Sequence, residues 1–362
     1  MEAPLRIIAH NGAPEWGGAE IALADLLAGL AKRGHDVTLL CNRTLVAEGA
    51  ASRGVETRML RLGGDVALHD ALALARVLKR ERPDAFVVGT YRKLWLAALG
   101  ARIARVPNVV ARIGLSSDTP RSPKYRMVLR RWVDNVVFVA DAMRQAYVES
   151  LPELESRFTT IYKGLPPLSR RVPSQEARRA LRLPYDVILL GSVGRLVSQK
   201  RFDRLLEAMV FLQDDVHLVV AGEGPLRGAL GLRAQDLGLR NRIHFLGHQR
   251  DIATVMDAID VLVITSDREG MSGVMLEALS RRVPVVSTDV SGAKEGLEPT
   301  ADGSVPGLIT GFAPPEIASA LNSILYDKTV RDEMGLAAER RYLDRFSFEG
   351  MLDAWEVVLR RA

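Results

Sequence analysis

Three clusters of residue types in this chain are spaced to handle an anionic, hydroxyl-rich ligand. The strongest is Glu269-Gly270-Met271-Ser272-Gly273-Val274-Met275-Leu276-Glu277, two carboxylates with seven residues between them. A small-residue loop runs here into an apolar stretch, which predicts a helix whose start leaves the backbone N–H groups of Ser272 and Gly273 for phosphate or sugar hydroxyls. Glu269 falls on the loop. Glu277 falls about two turns into the helix, where a carboxylate can accept hydrogen bonds from two vicinal ribose hydroxyls. The same spacing also fits a helix-start carboxylate and a solvated face residue.

The second cluster is Gly191-Ser192-Val193-Gly194-Arg195-Leu196 followed by Gln199-Lys200-Arg201-Phe202-Asp203. Arg195 offers a planar fork of donors and Lys200 a compact ammonium, a pair suited to a diphosphate, although a solvated basic turn uses the same residues. The third is Trp16-Gly17-Gly18-Ala19-Glu20. Its glycine pair either lets backbone N–H groups approach a phosphate or caps the following helix. Gly222-Glu223-Gly224-Pro225 imitates a dinucleotide-binding turn, but Gly228 comes one residue late for the third glycine and Pro225 disturbs the turn.

These clusters need scaffolds that bring loops together. Leu5 to Ala9, Val37 to Cys41, Ala85 to Val88, Asn108 to Arg112 and Val136 to Ala140 read as strands, separated by helical patterns at Ala19 to Lys32, Ala67 to Lys79, Leu94 to Ala104 and Ala142 to Glu149. A Pro- and Arg-rich stretch from Gly164 to Pro184 interrupts the pattern. A second series follows, with strands at Val187 to Val193, His217 to Ala221, Ile243 to Leu246, Val261 to Thr265 and Pro284 to Ser287. The alternation predicts an α/β protein of two doubly wound, Rossmann-like domains facing across a cleft, with ligands at the carboxyl ends of the strands. The expected boundaries are 1–168 on the acceptor side, 169–346 for nucleotide-sugar binding, and a terminal helix within 347–362 docked near the domain junction.

At 362 residues the chain suits two cores, and 48% hydrophobic with 26% charged residues is a globular composition. Cys41 is the only cysteine, which excludes an intrachain disulfide and a Cys-rich metal site and fits a reducing compartment. No secretion signal is expected from Met1 to His10, and no apolar run approaches the roughly 18 residues of a membrane span. The expected location is cytoplasmic, with any membrane contact peripheral. The net charge of +5 is uneven: residues 1–168 carry 24 Lys and Arg against 17 Asp and Glu, whereas 169–362 carry 25 against 27. A basic first half attracts anionic surfaces or substrates, or is merely soluble. A nucleic-acid partner is not expected, because no aromatic-basic motif or known module accompanies the charge.

Over nearly its whole length the chain resembles the retaining GT-B glycosyltransferases of family four. The marks are Gly17-Gly18-Ala19-Glu20, Gly34-His35-Asp36-Val37, Gly194-Arg195-Leu196 with Gln199-Lys200, Ala221-Gly222-Glu223-Gly224-Pro225, Phe245-Leu246-Gly247, Glu269 to Glu277, and Pro284-Val285-Val286 before Gly292 and Glu295. The resemblance implies transfer of a sugar from a nucleotide-diphosphate donor to a glycan, lipid-linked or other hydroxyl acceptor, as in cell-envelope polysaccharide synthesis. It implies that Arg195 and Lys200 hold the diphosphate, Glu269 contacts the transferred sugar and Glu277 holds the ribose. Backbone N–H groups of Met271, Ser272 and Gly273 would touch sugar and phosphate, and Gly17 and Gly18 would reach across from the first domain. Neither metal nor organic cofactor is implied.

Two departures fall in the first half. Relatives of this kind often carry a histidine where this chain reads Arg112-Ile113-Gly114-Leu115, and their Asn-Gly-Val-Asp is here Tyr162-Lys163-Gly164-Leu165. His10, after the first strand, either compensates on the acceptor side with Arg112 or is structural. The basic run Arg112, Arg121, Lys124, Arg126, Arg130 and Arg131 predicts an amphipathic helix from about Ser122, able to rest on anionic lipid, grip a phosphorylated glycan, or simply stay solvated. A catalytically silent sugar-nucleotide binder and an NAD-dependent enzyme are the alternative readings.

Overall fold

The computed structural model describes residues 3–64, 67–114, 122–165, 170–269, 271–290 and 292–361. Gly270, Leu115 and Arg121 of the motifs above, and residues 166–169 near the start of the interdomain stretch, lie outside them. The chain divides into two compact units, Met1–Pro166 with Phe348–Ala362, and Pro167–Ser347.

The first unit holds strands β1 (Arg6–Asn11), β2 (Asp36–Cys41), β3 (Glu56–Met59), β4 (Ala85–Val88), β5 (Asn108–Ile113), β6 (Asn135–Phe138) and β7 (Phe158–Thr160). They form one parallel sheet in the order β3-β2-β1-β4-β5-β6-β7. The second unit holds β8 (Ile188–Val193), β9 (Val216–Ala221), β10 (Ile243–Gly247), β11 (Val261–Ile264), β12 (Val285–Thr288) and β13 (Gly307–Thr310). Their order, β10-β9-β8-β11-β12-β13, is again wholly parallel.

Parallel strands covered by helices on both faces must be apolar throughout, and β4, β6 and β11 are buried at every position. In each sheet the chain starts in the middle and builds outward in both directions. The reversal falls between β1 and β4 in the first sheet and between β8 and β11 in the second. Flanking loops there diverge to opposite faces and leave a crevice at the strands' carboxyl ends, the place where open α/β sheets bind ligands.

The terminal helix Phe348–Leu359 returns to the first unit, where Met351, Leu352, Trp355, Val358 and Leu359 join the core beneath β1 and β2. Burying each such side chain contributes about 1.5–3 kcal/mol. Gly29 admits it: a Cβ there would come within 2.8 Å of Leu352 and Phe348. Asn108 donates to the carbonyls of Val358 and Leu359, and Arg33 pairs with Glu349, Asp353 and Glu356. No helix among the described residues is long and apolar enough to cross a membrane.

Candidate active site

In the second unit the loops leaving β8 and β11 meet at the reversal point. The β8 loop passes through Gly194 and Arg195 into a short 3-10 turn, Ser198–Lys200, before helix Phe202–Met209. It is stitched to the β11 loop: the Asp267 N–H donates to the Gln199 carbonyl (3.0 Å), Gln199 Nε2 to the Arg268 carbonyl (2.8 Å), and Thr265 Oγ1 to the carbonyls of Lys200 and Arg201. Arg204 locks the base of the junction through Asp267 (2.7 Å) and the Thr265 carbonyl (2.8 Å). Residues almost seventy positions apart are thereby held as one surface.

On that surface the Lys200 ammonium pairs with Glu269 Oε1, which also accepts from Ser266 Oγ at 2.7 Å. The Lys200 stem lies over Gly194, where a Cβ would sit 3.4 Å from Lys200 Cε. Arg195 is exposed and makes no side-chain hydrogen bond or ion pair with any described residue. Ser272 caps helix Gly273–Ser280, its hydroxyl accepting from the Met275 N–H. Met271 and Gly273 are half-buried beside it. Glu277 is the fifth residue of this helix, so it stands about one turn in and not two as the spacing suggested; the loop takes up more of the motif than expected. Lys200, Glu269 and Ser272 thus belong to loops that the fold brings together, with Arg195 on the first of them.

Gly222 and Gly224 have a different task from that of a dinucleotide turn. A Cβ on Gly222 would fall 1.9 Å from the Gly194 carbonyl oxygen, and one on Gly224 2.5 Å from that of Leu196. The two backbones run in contact, the Gly194 N–H donating to Ala221 and the Leu196 N–H to Glu223. These glycines therefore shape the loop that carries Arg195, and the φ of +144° at Gly222 adds a conformation that other residues rarely adopt.

The remaining expected site residues belong to the first unit. Gly17 is the N-cap of helix Gly18–Lys32, and its N–H donates to Glu20 Oε2 at 3.2 Å. The Glu20 carboxylate thus stands at the helix start, where an anion would otherwise be favored, and Gly17 acts as a cap; Gly18 remains exposed. Arg112 is buried at the end of β5 (7% exposed), and burial pushes its pKa down to about 10 against the opposing influence of Glu20. It stays protonated at neutral pH. Lys124 places its ammonium over the rings of Trp95 and Tyr125. Arg126 donates to the Ser150 carbonyl and Arg130 pairs with Glu153, so helix Pro123–Trp132 has internal uses for much of its charge.

His10 lies within β1 rather than after it and is fully buried, which removes it from direct acceptor contact. Its Nε2 donates to Asn42 Oδ1 at 3.0 Å, an orientation fixed because Asn42 also bonds both backbone groups of Leu62. Burial pushes its pKa down from 6.5 to about 4. Since the unfolded chain then binds the extra proton, stability falls as pH drops from about 6.5 toward 4, by up to ~3 kcal/mol. Urea midpoints measured between pH 7 and 4.5 should show this fall, and it should be shallower in His10→Gln; equal slopes would mean that His10 titrates normally.

Residues 16–167 match Glycosyltransferase Family 4, and residues 173–341 match Glycosyl transferases group 1. The chain belongs to this glycosyltransferase family. It is 28% identical over 347 residues to the lipopolysaccharide core biosynthesis glycosyltransferase LpsE of Rhizobium meliloti, covering 94% of each chain. Among solved structures, Anabaena HepE in complex with UDP superposes with a TM-score of 0.86 at 20% identity, covering 99% of this chain and all of that one. WaaG, involved in lipopolysaccharide biosynthesis, gives 0.70 at 18% identity, covering 98% of this chain and all of that one. These two likenesses establish a common GT-B fold.

For this glycosyltransferase, sequence reading found the two loops but not their bracing. Ser266, which fixes Glu269, and Gln199, which ties the loops together, look like ordinary polar loop residues. Their signal was position alone, directly after β11 and before Lys200.

Proposed function

We propose that the chain is a retaining hexosyltransferase that uses a nucleoside diphosphate sugar and a glycan or lipid-linked hydroxyl acceptor in cell-envelope polysaccharide assembly. The observation that carries this reading is the Lys200–Glu269 pair beside exposed Arg195 and the capped helix at Ser272, all at the sheet's reversal point. Arg195 and Lys200 neutralize charge that develops on the diphosphate as the C1–O bond breaks, with Met271, Ser272 and Gly273 offering N–H donors. Glu269 faces the transferred sugar and Glu277 the ribose hydroxyls. The acceptor oxygen bonds C1 on the face the leaving group vacates, and a donor phosphate oxygen takes its proton. With two cations and a helix start in place, no divalent ion is required. UDP and glucose are the favored donor parts, since HepE has been solved with UDP-glucose.

The cytoplasm, where such donors are made, is the proposed place of action. Peripheral contact with an anionic inner leaflet through helix Pro123–Trp132 has less support, because Arg126 and Arg130 are engaged within the protein. Proton NMR of the product made from an α-linked UDP-hexose tests the reaction. An α product is expected; a β product overturns retention, and nucleotide binding without transfer or hydrolysis leaves a silent binder.

A further inference from the structure

The carboxyl ends of β1 to β4 surround a cavity of about 410 Å³ that belongs wholly to the first unit. Arg43 follows β2, Arg61 follows β3, and Arg92 and Lys93 follow β4; all four line it, and among the described residues no carboxylate does. The cavity lies at the reversal between β1 and β4, the counterpart of the β8–β11 crevice in the other sheet. Its volume is that of a small-ligand site.

Arg43, Arg61 and Arg92 are exposed and have no acidic partner among the described residues. Arg76, Arg82 and Arg105 of the same unit share that state, so what sets the three apart is that they gather on one cavity. The polar side chains of the floor are already satisfied. Asn42 is taken by His10 and Leu62, while Thr90 accepts from the Gly12 N–H and donates to Asn11. Lys93 is anchored by donating to the Gly63 carbonyl at 2.6 Å. What remains for a ligand is guanidinium N–H donors, which match an acceptor-rich anion and not a neutral sugar that must both donate and accept.

We propose that this cavity binds the phosphate of a phosphorylated sugar, making the acceptor of the transfer a sugar phosphomonoester. The assignment of an acceptor rests on the transferase reading; the anion site does not. Arg43, Arg61 and Arg92 supply the contacts, and His10 is a positioning residue that holds Asn42 and through it the Leu62 wall.

Calorimetric titration of the full chain with glucose 6-phosphate, with glucose, and separately with UDP tests this. The variants are Arg43→Gln/Arg61→Gln/Arg92→Gln, which spares the anchored Lys93, and Arg195→Ala/Lys200→Ala. Glucose 6-phosphate should bind the wild type and the Arg195/Lys200 variant alike, lose at least tenfold in affinity in the triple variant, and weaken with added salt, while glucose does not bind. UDP affinity of the triple variant should be unchanged. Absence of glucose 6-phosphate binding, binding that survives the triple substitution, or binding lost only with Arg195 and Lys200 would overturn the proposal. Failure of UDP to bind the wild type would instead strike the donor reading.

Discussion

Arg195→Ala is expected to cut sugar transfer about 100-fold, a loss of about 2.7 kcal/mol of transition-state stabilization, and Lys200→Ala to cut it further. On the proposed donor site, each substitution would leave leaving-group charge unmatched as the C1–O bond breaks. Lys200→Ala carries a second penalty: it strips Glu269 of its cation and leaves a carboxylate beside the diphosphate position. The lysine variant should therefore be the more severe. Initial-rate transfer assays at saturating acceptor measure the effect, with circular dichroism expected to stay unchanged because both side chains lie on loops outside the core. Wild-type turnover in both variants would remove the diphosphate assignment.

The carboxylates should separate by kinetic constant. Glu269→Gln preserves shape and still accepts from Ser266, but it loses the charge proposed to face the reacting sugar; kcat should fall about 100-fold while donor affinity holds or improves, since Lys200 is freed for phosphate. Glu277→Gln should instead weaken donor binding about tenfold or more, with a smaller change in kcat, because the proposed ribose contact would be made equally in ground and transition states. Steady-state kinetics with varied donor, together with donor dissociation constants, read both. Negligible changes in both variants would return the two glutamates to a purely structural role.

The sheets were legible where burial on both faces demands unbroken apolar runs, as in Ala85–Val88 and Val261–Ile264. They were not legible at their rims. Strand β3 is Glu-Thr-Arg-Met with no buried position, β7 has three residues, and β13 is partly exposed, so none shows the hydrophobic signal of an interior strand. The motifs at Arg195, Lys200, Glu269 and Ser272 could be read because their residue types are informative in themselves. The Lys200–Glu269 contact could not, since its members are 69 positions apart and meet only because β8 and β11 are neighbors. The same holds for Arg43, Arg61 and Arg92, each unremarkable after its own strand and distinctive only as a group around one cavity. His10 misled by its place near a strand end, because sequence does not report that the strand runs on to Asn11 and buries it.

The central claim is that the second unit grips a nucleoside diphosphate through Arg195 and Lys200. Calorimetric titration of UDP, GDP and ADP, without added metal, into the wild type and the Arg195→Ala/Lys200→Ala variant tests it most directly. One diphosphate, with UDP favored, should bind the wild type at one site per chain, and the variant should bind it at least ~100-fold more weakly with an unchanged circular dichroism spectrum. No binding of any nucleoside diphosphate to the wild type, or equal affinity in the variant, would contradict the account.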